Sequence, residues 1–216
     1  MIKTQPITPV QYKAFQEAYD VFNRELFGKN LPHVLVTLQR KSGARGYFSP
    51  QRFHGRTVDT IAHELAMNPD TFIGRTDEEV LSTLAHEMVH VWQQACGTPP
   101  RRSYHDRQWA AKMKEIGLQP TSTGAAGGRE TGQRMTHLII PGAAYAKAYA
   151  KLKDKGFVLP WQSTYHSAGA SAQTASKTKF TCPACQQNAW AKPTAQIACY
   201  ACYEGTGVVQ AMVQGL

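Results

Sequence analysis

The run His86-Glu87-Met88-Val89-His90 constrains this chain more than any other. Residues four apart share one face of an α-helix, so both imidazoles reach one point only if the run is helical. The flanking sequence supplies that helix: Val80, Leu81, Leu84, Met88, Val89 and Trp92 recur at helical spacing as core candidates. Asp77 reads as its N-cap, with Glu78 and Glu79 in the first turn, where the helix dipole favours acids. Gly97, followed by Pro99 and Pro100, ends it after Cys96. Two histidines around a glutamate at this spacing fit a hydrolytic zinc site. His86 and His90 are the expected ligands. Glu87 is the expected base, taking a proton from a metal-polarised water and passing it to the leaving amine of a peptide.

A catalytic zinc normally has three protein ligands and one open position. Candidates for the third are His63, His105, His137, Asp106 and Glu115. His105 is the expected one. It opens a second helix, over about Tyr104 to Ile116, after a short turn that makes the two helices neighbours. It also shares a face with Trp109, and Trp109, Ala110, Met113 and Ile116 mark the buried side. Asp106 points about 100° away on that helix and reads as a first-turn acid or a partner to a ligand histidine. His63 reads as structural; His137, after the glycine-rich loop, reads as cleft-lining or structural, the latter preferred, so zinc affinity is expected to ignore the removal of either. His33, His54 and His166 carry no signal.

Of the five cysteines, four form two knuckles, Cys182-Pro-Ala-Cys185 and Cys199-Tyr-Ala-Cys202. Two CxxC turns complete a closed, structural four-thiolate zinc site. A module this small needs the metal to fold. Lys177, Lys179 and Lys192, with Phe180, Trp190, Tyr200 and Tyr203, suit single-stranded nucleic acid, although the aromatics could equally cover a small core. Cys96, left over, reads as a small buried apolar residue.

The remaining pattern gives an α+β fold. A helix is expected over Pro9–Phe27 and ends at Gly28. Val34–Arg40 reads as a strand, with Gly46–Phe53 as its return in a hairpin and Thr57–Met67 as a third extended segment. Gln119–Gly132 reads as a loop, Met135–Ile140 as a short strand and Ala143–Lys155 as a helix. The expected divisions are a core over 1–161, a linker over 162–178, a zinc ribbon over 179–206 and a tail over 207–216. The net charge of +9 favours a phosphate-bearing partner. Arg40, Lys41, Arg45, Arg52, Arg56, Arg101, Arg102 and Arg107 are spread along the chain. No apolar run spans a bilayer, and Met1–Val10 lacks the apolar core of a secretory signal. These features predict a soluble, cytoplasmic protein with no membrane partner. They leave its oligomeric state open.

The run from Leu81 to Trp92, followed by Tyr104-His105-Asp106-Arg107-Gln108-Trp109, resembles the SprT-like (SprT/Spartan) zinc metalloproteases, and Ile61–Pro69 is similar to the strand before their active helix. With the ribbon, the resemblance covers about residues 10 to 204 and points to a bacterial-type member. It implies a zincin-like minimal core, helices packed on a small mixed sheet, with an appended zinc ribbon. It carries over His86, His90 and His105 as ligands of one catalytic zinc, Glu87 as the base, and Cys182, Cys185, Cys199 and Cys202 as ligands of one structural zinc. It also implies DNA, with single-stranded character, as a partner, protein bound or crosslinked to DNA as substrate, and nucleoid association in a bacterium. No ubiquitin- or clamp-binding tail is expected after the ribbon. The rival readings are a housekeeping zinc peptidase without a nucleic-acid role and a non-catalytic nucleic-acid-binding adaptor. An intact Glu87 argues against the adaptor, because scaffolding needs no base.

Overall fold

A computed structural model of the chain describes residues 6–101, 104–164 and 177–214. They fall into two compact units, dividing between Ser167 and Ala168. In the first, α1 (Ile7–Phe27) buries Phe15, Ala18, Tyr19, Phe22 and Leu26 along one face and stops at Gly28, which takes the left-handed conformation. Three strands follow: β1 (Val34–Leu38), β2 (Gly46–His54) and β3 (Ile61–Met67). Their order is β1-β3-β2. The expected β1–β2 hairpin is therefore replaced: β3 runs parallel to β1 and antiparallel to β2. The reason is burial. Leu65, Ala66 and Met67 are wholly buried, and the most apolar strand takes the centre while half-exposed strands flank it. The hairpin is instead β2–β3, closed where the Gly55 N–H donates to the Thr60 carbonyl at 2.8 Å.

α2 (Asp77–Cys96) buries every residue from Val80 to Val89, polar ones included. Its N-cap is Thr76 rather than Asp77. Thr76 Oγ1 accepts the Glu79 N–H at 3.2 Å, and the Glu79 carboxylate accepts the Thr76 N–H at 2.8 Å. α3 (Arg107–Glu115) is shorter than expected. Asp106 accepts the Trp109 N–H at 2.9 Å and caps the helix, which leaves Tyr104 and His105 outside it. β4 (Leu118–Thr121) pairs with β5 (Thr136–Ile139) across the glycine-rich segment, and α4 (Ala144–Lys153) returns to α1 and α2. The Lys112 ammonium lies over the Phe27 and Trp92 rings and 2.6 Å from Glu115, so it ties α3 to α1 and α2. Cys96, expected inside, is exposed at the end of α2, where its thiol donates to the Asn30 carbonyl at 3.7 Å.

The second unit holds β6 (Thr178–Thr181), β7 (Asn188–Ala191), β8 (Ala198–Cys199), α5 (Tyr200–Thr206), β9 (Gln210–Ala211) and β10 (Val213–Gln214). β9 pairs with β8 and β10 with β6, so residues read as a tail complete the ribbon's small sheets. Of the segment read as a linker, 165–176 lie outside the described residues, as does Arg102. Together the units form the mixed α and β architecture, with an appended four-cysteine module, that the sequence predicts.

Candidate metal centre and its surroundings

α2 carries His86 and His90 one turn apart, both facing α3. His105 arrives differently. It forms a single β-bridge with Gly132: its N–H donates to the Gly132 carbonyl at 2.8 Å and its own carbonyl accepts the Gly132 N–H at 3.0 Å. One side-chain nitrogen from each of the three histidines lies within 4.8 Å of the other two. Trp109 is fully buried beneath them, with ring centroids 4.9 Å from His86, 5.6 Å from His90 and 4.4 Å from His105. The helical argument for His105 thus reached the right neighbourhood through the wrong element. Asp106, one residue on, makes no hydrogen bond to the three histidines; besides capping α3 it accepts from Gln93 at 2.9 Å.

The donor set suits zinc. Burial holds the imidazoles in their neutral, lone-pair-bearing form: it brings His90 down to about 3, His86 well below the usual range, and His105 down as well. The His105 Nδ1–H donates to the Gly132 carbonyl at 3.0 Å, which leaves Nε2 bare. Glu87, on the same turn, is only 6% exposed. Burial pushes its carboxyl up to about 8, against the pull of the Lys41 charge and a hydrogen bond from the Phe48 N–H. The close approach of β2 explains that bond. A Cβ built on Gly46 would lie 2.9 Å from the Ala66 carbonyl oxygen and 3.2 Å from the Glu87 side chain, so only glycine lets β2 run so near the carboxylate.

Sequence reasoning set His63 and His137 aside. His63 Nδ1 accepts the Gln51 N–H at 2.9 Å and pins a bulge in β2, away from the three-histidine group. His137, delivered by β5, lies against His86, with their Nδ1 atoms 3.2 Å apart. His137 was among the candidates for the site, but its contact with His86, 51 residues away, follows only from the β4–β5 pairing.

In the ribbon, Cys182 and Cys202 have their sulfurs 3.7 Å apart, and Cys185 and Cys199 theirs 3.5 Å apart. Sulfurs on one tetrahedral zinc, each about 2.3 Å from it, are about 3.8 Å apart. None of the four is in a disulfide. Backbone N–H groups of Cys185 and Ala184 bring Cys182 down to about 7, while the neighbouring thiols Cys185 and Cys182 push Cys202 up to about 12. Sulfurs so crowded ionise together only around a cation.

The sequence model of the SprT-like family matches residues 15–127, more than half of the chain. The chain belongs to the SprT-like family. A Salmonella typhimurium relative, described as an uncharacterized protein in the mucB 3' region, is 50% identical over 58 residues, which are 25% of this chain and 78% of the relative. SprT-like membership suggests a zinc-dependent, metallopeptidase-like function, with which the three-histidine and four-cysteine groups of this SprT-like protein are consistent. The match ends before the ribbon. No helix among the described residues is long and apolar enough to cross a membrane.

Proposed function

We propose that this chain is a DNA-associated zinc endopeptidase that cleaves proteins bound or crosslinked to DNA. The buried Glu87 carboxylate beside three converging neutral imidazoles carries the reading. In it His86, His90 and His105 hold the catalytic zinc, and the four ribbon cysteines hold a second, structural one. Zinc in the three-imidazole site supplies Lewis acidity and brings the pKa of a water near neutrality. Glu87, ionised beside the zinc charge, would take a proton from the water on a carboxylate oxygen and return it to the amine that leaves. Buried packing around Glu87 limits the bulk water that could intercept the proton.

The nucleic-acid part of the reading is supported by charge and by exposed rings. The charges of Lys41 and Arg45 are felt within the site, at Glu87 and at His86 and His137. In the ribbon, Trp190, Tyr200 and Tyr203 are 62%, 68% and 47% exposed, and Lys179 stands opposite Trp190 in the strand register. Exposed aromatics beside lysines are what single-stranded nucleic acid stacks on. DNA would act by raising the effective concentration of enzyme and substrate on one polymer.

The test is cleavage of a DNA-binding protein without DNA, with duplex and with single strands, at about 50 and 200 mM salt. DNA should stimulate, single strands most, and salt should weaken the effect. Glu87→Gln should keep its zinc and lose about 100- to 10,000-fold in rate. Equal rates in all three conditions would leave a peptidase without a nucleic-acid role. Undiminished cleavage by Glu87→Gln would remove the carboxylate as base.

A further inference from the structure

His137 is partly buried, yet it has no place in the three-histidine group. Its ring spans two residues of α2 that lie four apart on one face. Nδ1 is 3.2 Å from His86 Nδ1, and Nε2 is 2.8 Å from Ser82 Oγ. Ser82 Oγ in turn is 2.8 Å from the Glu79 carbonyl, one turn earlier.

The direction of this chain follows from its end. A carbonyl only accepts, so Ser82 spends its one proton on Glu79. Towards His137 the hydroxyl can then only accept, so His137 Nε2 carries the proton. The neutral ring therefore has a bare Nδ1, which accepts from His86 Nδ1–H. His86 is left with a bare Nε2, the nitrogen free to join those of His90 and His105. The backbone carbonyl of Glu79 thus dictates, through two side chains, which nitrogen His86 presents.

We propose that His137 and Ser82 are positioning residues that lock His86 in its Nδ1–H tautomer and aim Nε2 at the metal. The inference rests on the zinc reading above and deepens it. His105 uses a single carbonyl for the same purpose, at Gly132. His86 lies inside a helix whose carbonyls are engaged along its axis, so its partner has to come from another element, and β5 supplies it.

The experiment is zinc competition against a chelator on the full chain, combined with ring-nitrogen NMR of the histidines with and without zinc. The wild type should bind two zinc ions, and the metal-free His86 should already show a protonated Nδ1. His137→Ala should weaken the histidine site 10- to 100-fold, mix the His86 tautomers and leave the four-cysteine site unchanged. His137→Asn puts an amide oxygen where Nδ1 stood and should recover much of the loss. Ser82→Ala frees the His137 tautomer without emptying its space and should weaken binding less. Wild-type affinity and an unchanged tautomer in His137→Ala would overturn the proposal. So would equal losses in His137→Ala and His137→Asn, which would mark a packing role. A wild type that binds one zinc, at the cysteines alone, would overturn both this inference and the metal reading beneath it.

Discussion

Gly132 shows how much a single residue without a side chain can govern. Its φ of 150° lies where L side chains are strained, and it supplies both backbone bonds of the bridge as well as the carbonyl that orients the His105 ring. A methyl group there meets nothing closer than Met135 Sδ at 3.5 Å, so its cost is conformational rather than steric. Gly132→Ala should lower stability by about 1–3 kcal/mol and weaken the histidine site's hold on zinc, while the ribbon's zinc is unaffected. Parallel denaturant titrations and zinc competition check both. At this scale the sequence was legible only in part. His86, Glu87 and His90 are spaced for one helix face, and that local rule located all three together. His105 was reached by assuming a helix that the Asp106 cap forestalls. Gly132 and His137 become neighbours of the site only through pairings between distant segments, which no local period encodes.

Among the elements, α2 has the most specified start. Thr76 and Glu79 exchange hydrogen bonds, and Leu159 and Tyr145 add contacts to its first turn. Thr76→Ala should cost about 1 kcal/mol. The Thr76 backbone N–H holds the Glu79 carboxyl below the usual range in the folded state. A depressed folded pKa contributes stability that is complete above the unfolded value, about 4.3, and is lost as pH falls through the folded one. Glu79→Gln should therefore show a flatter acid limb than the wild type in thermal melts between about pH 5 and pH 3. An identical limb would show that the cap does not feel the charge. Helices α1, α2 and α4 could be read from apolar periodicity because each buries one stripe or more against the sheet and its neighbours. Strand pairing could not. β1 and β2 are both only partly buried, and what separates them, the more apolar β3, is settled by competition for the buried centre of the sheet. The short β4 pairs within a segment whose glycines and threonines read as a loop.

At the scale of the molecule, the two units are held together by different physics. The first encloses a continuous cluster running from Phe15 through Leu84 and Trp109 to Leu152. The second buries, among its described hydrophobic residues, only Phe180, Cys182 and Cys199. Burying a few such side chains at about 1.5–3 kcal/mol each cannot offset the ordering of that chain. Stripping zinc with a strong chelator should therefore collapse the amide resonances of residues 178–214 and leave those of α1 to α4 dispersed. Ribbon resonances unmoved by complete zinc removal would contradict this. The bridge that carries His105 gives the first unit a related property, one of rates. His86 and His90 stand on α2, whose backbone opens about as rarely as the whole unit unfolds. His105 is released when two backbone bonds part, a local fluctuation far more frequent than that. If the three histidines hold an ion as proposed, its lifetime would be set by one clasp and the lifetime of the fold by the core, so a chain could lose its metal many times over without once losing its shape.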